Sequence, residues 1–382
     1  MSGNINQMAK KKKQKKKEKS KGYPVKRNLI ISGIVLIISS VLIGVATRVD
    51  GFAQWYSTNV YPVLVTTMGR FFGWFPFSVS EIILYIILLY VLGTLISTVV
   101  LMFFKEEKGL RFLKWLTSTL LIASILFCLF VVNCGINYHR DSFAEVSGLE
   151  VREYSVEELL QASQWLTQRV NETSQLVPRD EDGVMMLTVN VRDASRVAMR
   201  GVGEEFPALR GYVPPPKPMM NSWLLSSMQV AGIFIPFTIE GNYNWQMVPY
   251  NIPFAATHEL VHVLGFMAED EANFIAFLAC IRSEEVEFQY SGYLRGWIYV
   301  RNALRRVDAE AADELFYLFD EGVKADLAAN REFWARFDGP VADLQTRVND
   351  AYLRANAQHE GVRSYGMMVD LLLAYYLQGI HD

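Results

Sequence analysis

Three uninterrupted apolar runs within the first 140 residues constrain this chain more than any other feature. "NLIISGIVLIISSVLIGVAT" (28–47), "IILYIILLYVLGTLISTVVLMFF" (82–104) and "WLTSTLLIASILFCLFVVNCGINY" (115–138) contain no charged residue. Each is about long enough to cross a ~30 Å hydrocarbon layer as a helix. Three in succession predict a membrane protein with three N-terminal transmembrane helices. The first run is too long for the apolar core of a secretory signal, and Arg48, Val49 and Asp50 form no small-residue cleavage site. It reads as a retained span.

Charge orients the spans. The formal net charge is −3, yet residues 1–27 hold eleven Lys or Arg and one Glu, so the remainder is strongly acidic. A lysine-rich tail without interleaved aromatics, next to a span, fits anionic lipid headgroups at the cytoplasmic face and argues against nucleic acid. The 48–79 loop carries only Arg48 and Arg70, whereas the loop after the second span carries Lys105, Lys108, Arg111 and Lys114. The positive-inside rule then sends everything after the third span to the extracytoplasmic side. The expected organisation is a basic cytoplasmic tail (1–27), a three-span region (28–138) and an extracytoplasmic domain (139–382).

Three cysteines make no disulfide framework, and Cys128, Cys134 and Cys280 all lie in apolar surroundings as small hydrophobes. Ser155 and Glu158 form a capping box that opens an amphipathic helix. Three consecutive prolines in "ALRGYVPPPKPMMNS" (208–222) predict an extended strip. Next, "VAGIFIPFTIEGNYNWQMVP" predicts one or two short strands around a Gly-Asn turn. Beyond Pro253 the pattern is helical. The C-terminal "YGMMVDLLLAYYLQGI" is too short to cross a bilayer and predicts a helix packed on the domain core.

One stretch carries chemistry. "THELVHVLGFMAEDEANF" (257–274) places two of only five histidines four residues apart. His258, Glu259 and His262 form H-E-x-x-H, which on a helix turns both imidazoles to one face, able to share a Zn²⁺ ion. Glu259, about 100° further round, is then free to move protons instead of ligating. A three-histidine site fails at Ala268. Instead Gly265 can end the first helix, and the next helix offers Glu269 as third ligand with Asn273 on the same face. Glu271 and Asp270 compete; helical geometry favours Glu269. Asn273 is a candidate acceptor for an imidazole N–H. Glu240, Asn242 and Asn244 are candidate site or turn residues, and Tyr290, Tyr293 and Tyr365 candidate hydrogen-bond donors to an oxyanion. His139, His359 and His381 lack motif context.

These residues also carry a resemblance. "FPFSVSE", "CGINYHR", "PPKPMMNS", "GIFIPFTIEGNYN", "PFAATHELVHVLGFMAEDEANFIAFLAC", "YSGYL" and "SYGMMVDLLLAYY" resemble the bacterial multi-pass membrane family catalogued as domain of unknown function 3810. The resemblance covers most of residues 30–380 and implies a zincin-like, mostly α domain of α+β type outside the membrane. More loosely, "EDEANFIAF" looks like the E-x-E-A-N pattern of ImmA/IrrE-type peptidases, with a shorter gap from H-E-x-x-H. The expected function is a membrane-anchored zinc endopeptidase acting on a protein or peptide substrate. Its alternative is a non-catalytic membrane sensor or scaffold with a structural or vestigial metal site.

Overall fold

The computed structural model describes residues 2–104, 107–355 and 366–379. The chain is mostly helical with one three-stranded sheet, and divides into two compact units. The first unit comprises Met1–Arg48 and Glu81–Val132. Three helices long and apolar enough to cross a membrane, Tyr23–Ala46, Val79–Phe104 and Lys108–Asn133, coincide with the three apolar runs. Their outward side chains, such as Ile34, Ile37, Leu89 and Phe103, are exposed. The few polar groups tie helix to helix: Asn28 Nδ2 donates to Ser118 Oγ at 3.1 Å, and Trp115 Nε1 to the Val91 carbonyl at 3.2 Å. In an apolar medium such bonds locate helices that have no hydrophobic drive to associate.

The second unit comprises Val49–Ser80 and Asn133–Asp382. It therefore takes in the stretch between the first two spans, which is helical from Phe52 to Gly73 with two π-helical segments, Tyr56–Val60 and Val65–Gly69. Apart from Tyr56, its buried positions, Ala53, Ser57, Tyr61, Val65, Gly69 and Gly73, recur every fourth residue. In a regular α-helix a four-residue step drifts about 40° round the axis. The wider π turns absorb that drift and keep one face inward. That face receives the proline strip: a Cβ on Gly69 would lie 3.4 Å from Pro214, and one on Gly73 3.2 Å from Pro215.

The strip ends in strand β1 (Lys217–Pro218), which pairs parallel to β3 (Glu240–Tyr243); β3 pairs antiparallel to β2 (Gly232–Ile235). The order β1-β3-β2 leaves β2 at an edge. The expected Gly-Asn turn is not one. Gly241 and Asn242 sit inside β3, and the chain reverses through Pro236–Ile239, with Ile239 at φ 55°. Glycine stands at 241 because a Cβ there would come within 3.0 Å of the Glu259 backbone and side chain.

Around this sheet lie helices with Asn251–Val263 and Glu269–Ile281 buried almost throughout. The Ser155–Glu158 capping box opens Val156–Ser174, and Ser142 with Glu145 forms a second one. The C-terminal helix Met367–Leu377 buries Met368, Leu372 and Tyr375 in the same core.

Candidate metal centre

The motif helix Asn251–Val263 ends in a Schellman arrangement. Gly265 adopts φ 92°, its N–H bonds the His262 carbonyl at 2.9 Å, and the Phe266 N–H reaches back to the Val261 carbonyl at 3.3 Å. This reversal carries the Phe266 carbonyl back to the motif, where it lies 2.8 Å from His262 Nδ1. Nδ1–H is the donor, so the lone pair of His262 lies on Nε2. Burial, and then the neighbouring His258, pull the His262 imidazole down to about 4, leaving it neutral at neutral pH.

Four residues after Gly265 the next helix, Glu269–Ile281, begins with the glutamate side chain facing back. His262 Nε2 lies 3.0 Å from His258 Nε2; Glu269 Oε2 lies 3.2 Å from His258 Nε2, and Oε1 3.8 Å from His262 Nε2. Ligands held tetrahedrally at ~2.0–2.1 Å from zinc stand about 3.3 Å apart. The two imidazole nitrogens and the nearest Glu269 oxygen to each thus stand 3.0–3.8 Å apart, close to that spacing. Among the described residues this is the group of three whose donors converge; Asp270 is not part of it. Burial pushes the Glu269 carboxyl up, but the His258 hydrogen bond and the two imidazoles outweigh it and hold the group below the ordinary range.

Glu259 lies under the sheet. It is 4% exposed, its Oε2 has no hydrogen-bond partner, and Cβ atoms built on Gly232 or Gly241 would collide with it. Burial, with Glu269 adding, raises its carboxyl well above the ordinary range. Two further buried atoms nearby lack partners, His258 Nδ1 and Asn273 Nδ2. Positive charge at the cluster would relieve Glu259 and Glu269 together, so this donor set fits a divalent cation.

The family described as "Protein of unknown function (DUF3810)" matches residues 56–373, which include the sheet, the motif helix and the whole cluster. The chain belongs to this family. No curated protein and no solved structure matches it. Within the DUF3810 stretch, several expected site residues turn out to serve elsewhere. Glu271 points away from the histidines and caps the helix Phe143–Ser147, its Oε1 accepting the Phe143 N–H at 2.5 Å. Glu240 is locked in a hub with Lys217, Thr238, Val79 and Ser80. Asn242 Nδ2 bonds the Glu240 carbonyl at 3.0 Å, and Asn244 Nδ2 bonds Ser226 Oγ at 2.9 Å. The Tyr290 hydroxyl donates to Asp326 at 2.6 Å, and Arg169 donates to the Tyr293 hydroxyl at 3.3 Å. No hydrogen bond joins Asn273 to either imidazole. Tyr365, His359 and His381 lie outside the described residues.

Two tyrosines not singled out by the sequence meet near the turn that leads to Glu269. The Tyr138 hydroxyl donates to that of Tyr352 at 3.1 Å, and Cys134 Sγ lies 3.7 Å from Tyr352 Oη and 3.6 Å from Met267 Sδ. Burial raises the Tyr138 phenol above the ordinary range, with Tyr352 and then Glu269 adding to the shift, while Tyr352 itself is 38% exposed. Tyr138 stands in the "CGINYHR" stretch, marked only by its place after an apolar run. Tyr352 lies in the polar helix Pro340–Ala355, with no local signal.

Proposed function

We propose that this DUF3810 protein is a membrane-anchored, zinc-dependent endopeptidase. The lysine-rich tail lies on the cytoplasmic side against anionic lipid, and the domain after the third span is extracytoplasmic. The carrying observation is the convergence of His258, His262 and Glu269 beside a buried carboxylate, Glu259, that has an unsatisfied oxygen. The three ligands would hold Zn²⁺, which when bound supplies Lewis-acid polarisation of the scissile carbonyl and lowers the pKa of water.

The remaining work falls to the chain. Glu259 takes a proton from the attacking water and returns it to the leaving amine. Edge strand β2, with Ile233 exposed, accepts the substrate backbone as an added strand beside the motif helix. In this reading the Tyr138 or Tyr352 hydroxyl donates to the developing oxyanion. Glu259→Gln in the full-length protein should keep about one zinc per chain while proteolysis falls by roughly 10²–10⁴-fold. Undiminished cleavage of a substrate by that variant rules out this role for Glu259.

The second reading, a sensor or scaffold with a structural or vestigial site, draws support from the deep burial of Glu259 and His262 and from the unpartnered Asn273. Coordination separates the two, because catalysis needs one ligand position open to solvent. His258 and Glu269 retain 13% and 20% side-chain exposure, which favours the enzyme.

A further inference from the structure

We infer that the substrate is the juxtamembrane stalk of another protein anchored in the same bilayer by a span, cut within a few residues of the bilayer surface. This rests on the endopeptidase reading, and follows from chain continuity and contacts inside the second unit alone. The residues at which the chain leaves two of its apolar helices are bonded to the elements that build the site.

Asn133, the last residue of Lys108–Asn133, is buried and donates to the Pro236 carbonyl at 2.7 Å, in the turn joining β2 to β3. Cys134, the next residue, lies 3.6 Å by its sulfur from Met267 Sδ, two residues before Glu269. At the start of Val79–Phe104, the Val79 and Ser80 N–H groups donate to Glu240 at 3.3 and 2.7 Å. The following residue, Gly241, is packed on Glu259. By chain order, the start of the second span and the end of the third lie on one side of the membrane.

Counting ~3.8 Å per residue step plus side-chain lengths, each span end lies no further than roughly 22 Å from the Glu269 or Glu259 backbone. An extended polypeptide advances ~3.3–3.6 Å per residue, so a substrate leaving the bilayer nearby reaches the cluster within about six residues. Anchoring in the same membrane also raises the effective concentration of such a stalk. A folded soluble protein gains neither advantage.

The test uses the full-length, zinc-loaded protein in phosphatidylcholine–phosphatidylglycerol liposomes, with single-span polypeptides bearing randomised tails of about 40 residues. Products are mapped by mass spectrometry. Cuts should cluster within about ten residues of the span, and the same tails supplied as free peptides should be cut at least about ten-fold more slowly. Cuts spread along the tail, or free tails cut equally fast, overturn the proposal. If neither form is cut, the endopeptidase reading fails instead, and placement is read with Cu²⁺ at the cluster. Enhanced relaxation of headgroup nitroxides, absent from His258→Ala/His262→Ala, supports a site near the surface; unchanged relaxation contradicts it.

Discussion

Glu240 and Glu259 are two glutamates buried to nearly the same degree, 3% and 4% exposed, on opposite sides of one glycine contact. Glu240 has every partner a buried carboxylate needs: the Lys217 ammonium, the Ser80 N–H and hydroxyl, the Val79 N–H and the Thr238 hydroxyl. Glu259 keeps an oxygen with none, and burial drives it toward its protonated form. Burying an unpaired carboxylate is costly, so a folded chain keeps one where something else is to complete it. The saturated glutamate fixes the sheet, and the unsaturated one is where the proposed chemistry would act.

That contrast can be broken at several points. Lys217→Ala should be the most damaging, leaving Glu240 buried without its counter-charge and with only neutral donors; unfolding should show a loss of about 3–5 kcal/mol. Glu269→Gln should weaken zinc binding by roughly 100-fold or about 2.7 kcal/mol, whereas Glu271→Gln, which keeps an acceptor for Phe143, should leave affinity within about three-fold. Equal losses in a zinc titration would mean that the wrong carboxylate has been assigned. Gly241→Ala should cost about 1–3 kcal/mol, because the new methyl meets Glu259 backbone atoms that cannot move aside cheaply. Tyr290→Phe removes one of the partners of Asp326, which retains Arg179 and the Met185 N–H. It should cost about 1 kcal/mol and leave zinc content unchanged.

The apolar helices were legible in the sequence because length and absence of charge suffice to mark them. His258, His262 and Glu269 were legible because their convergence needs only helical spacing and one glycine turn at Gly265. The partners of Glu240 were not: Lys217, Ser80 and Val79 stand 23, 160 and 161 positions away. The buried face of Phe52–Gly73 is not legible in the sequence, because its repeat of four suits a π-distorted helix, not a regular one. Gly241 carries the signature of a turn former, since a sequence does not distinguish a glycine needed for φ from one needed for close approach. The same limit applies to Tyr138 and Tyr352, brought together across 214 residues.

The most direct test is zinc X-ray absorption on the full-length protein, paired with metal analysis. The account predicts about one zinc per chain, bound by two imidazole nitrogens, one carboxylate and one exchangeable oxygen, with the imidazole signal lost in His258→Ala/His262→Ala. A chain that takes up no zinc, or a zinc closed by four protein ligands, would contradict it.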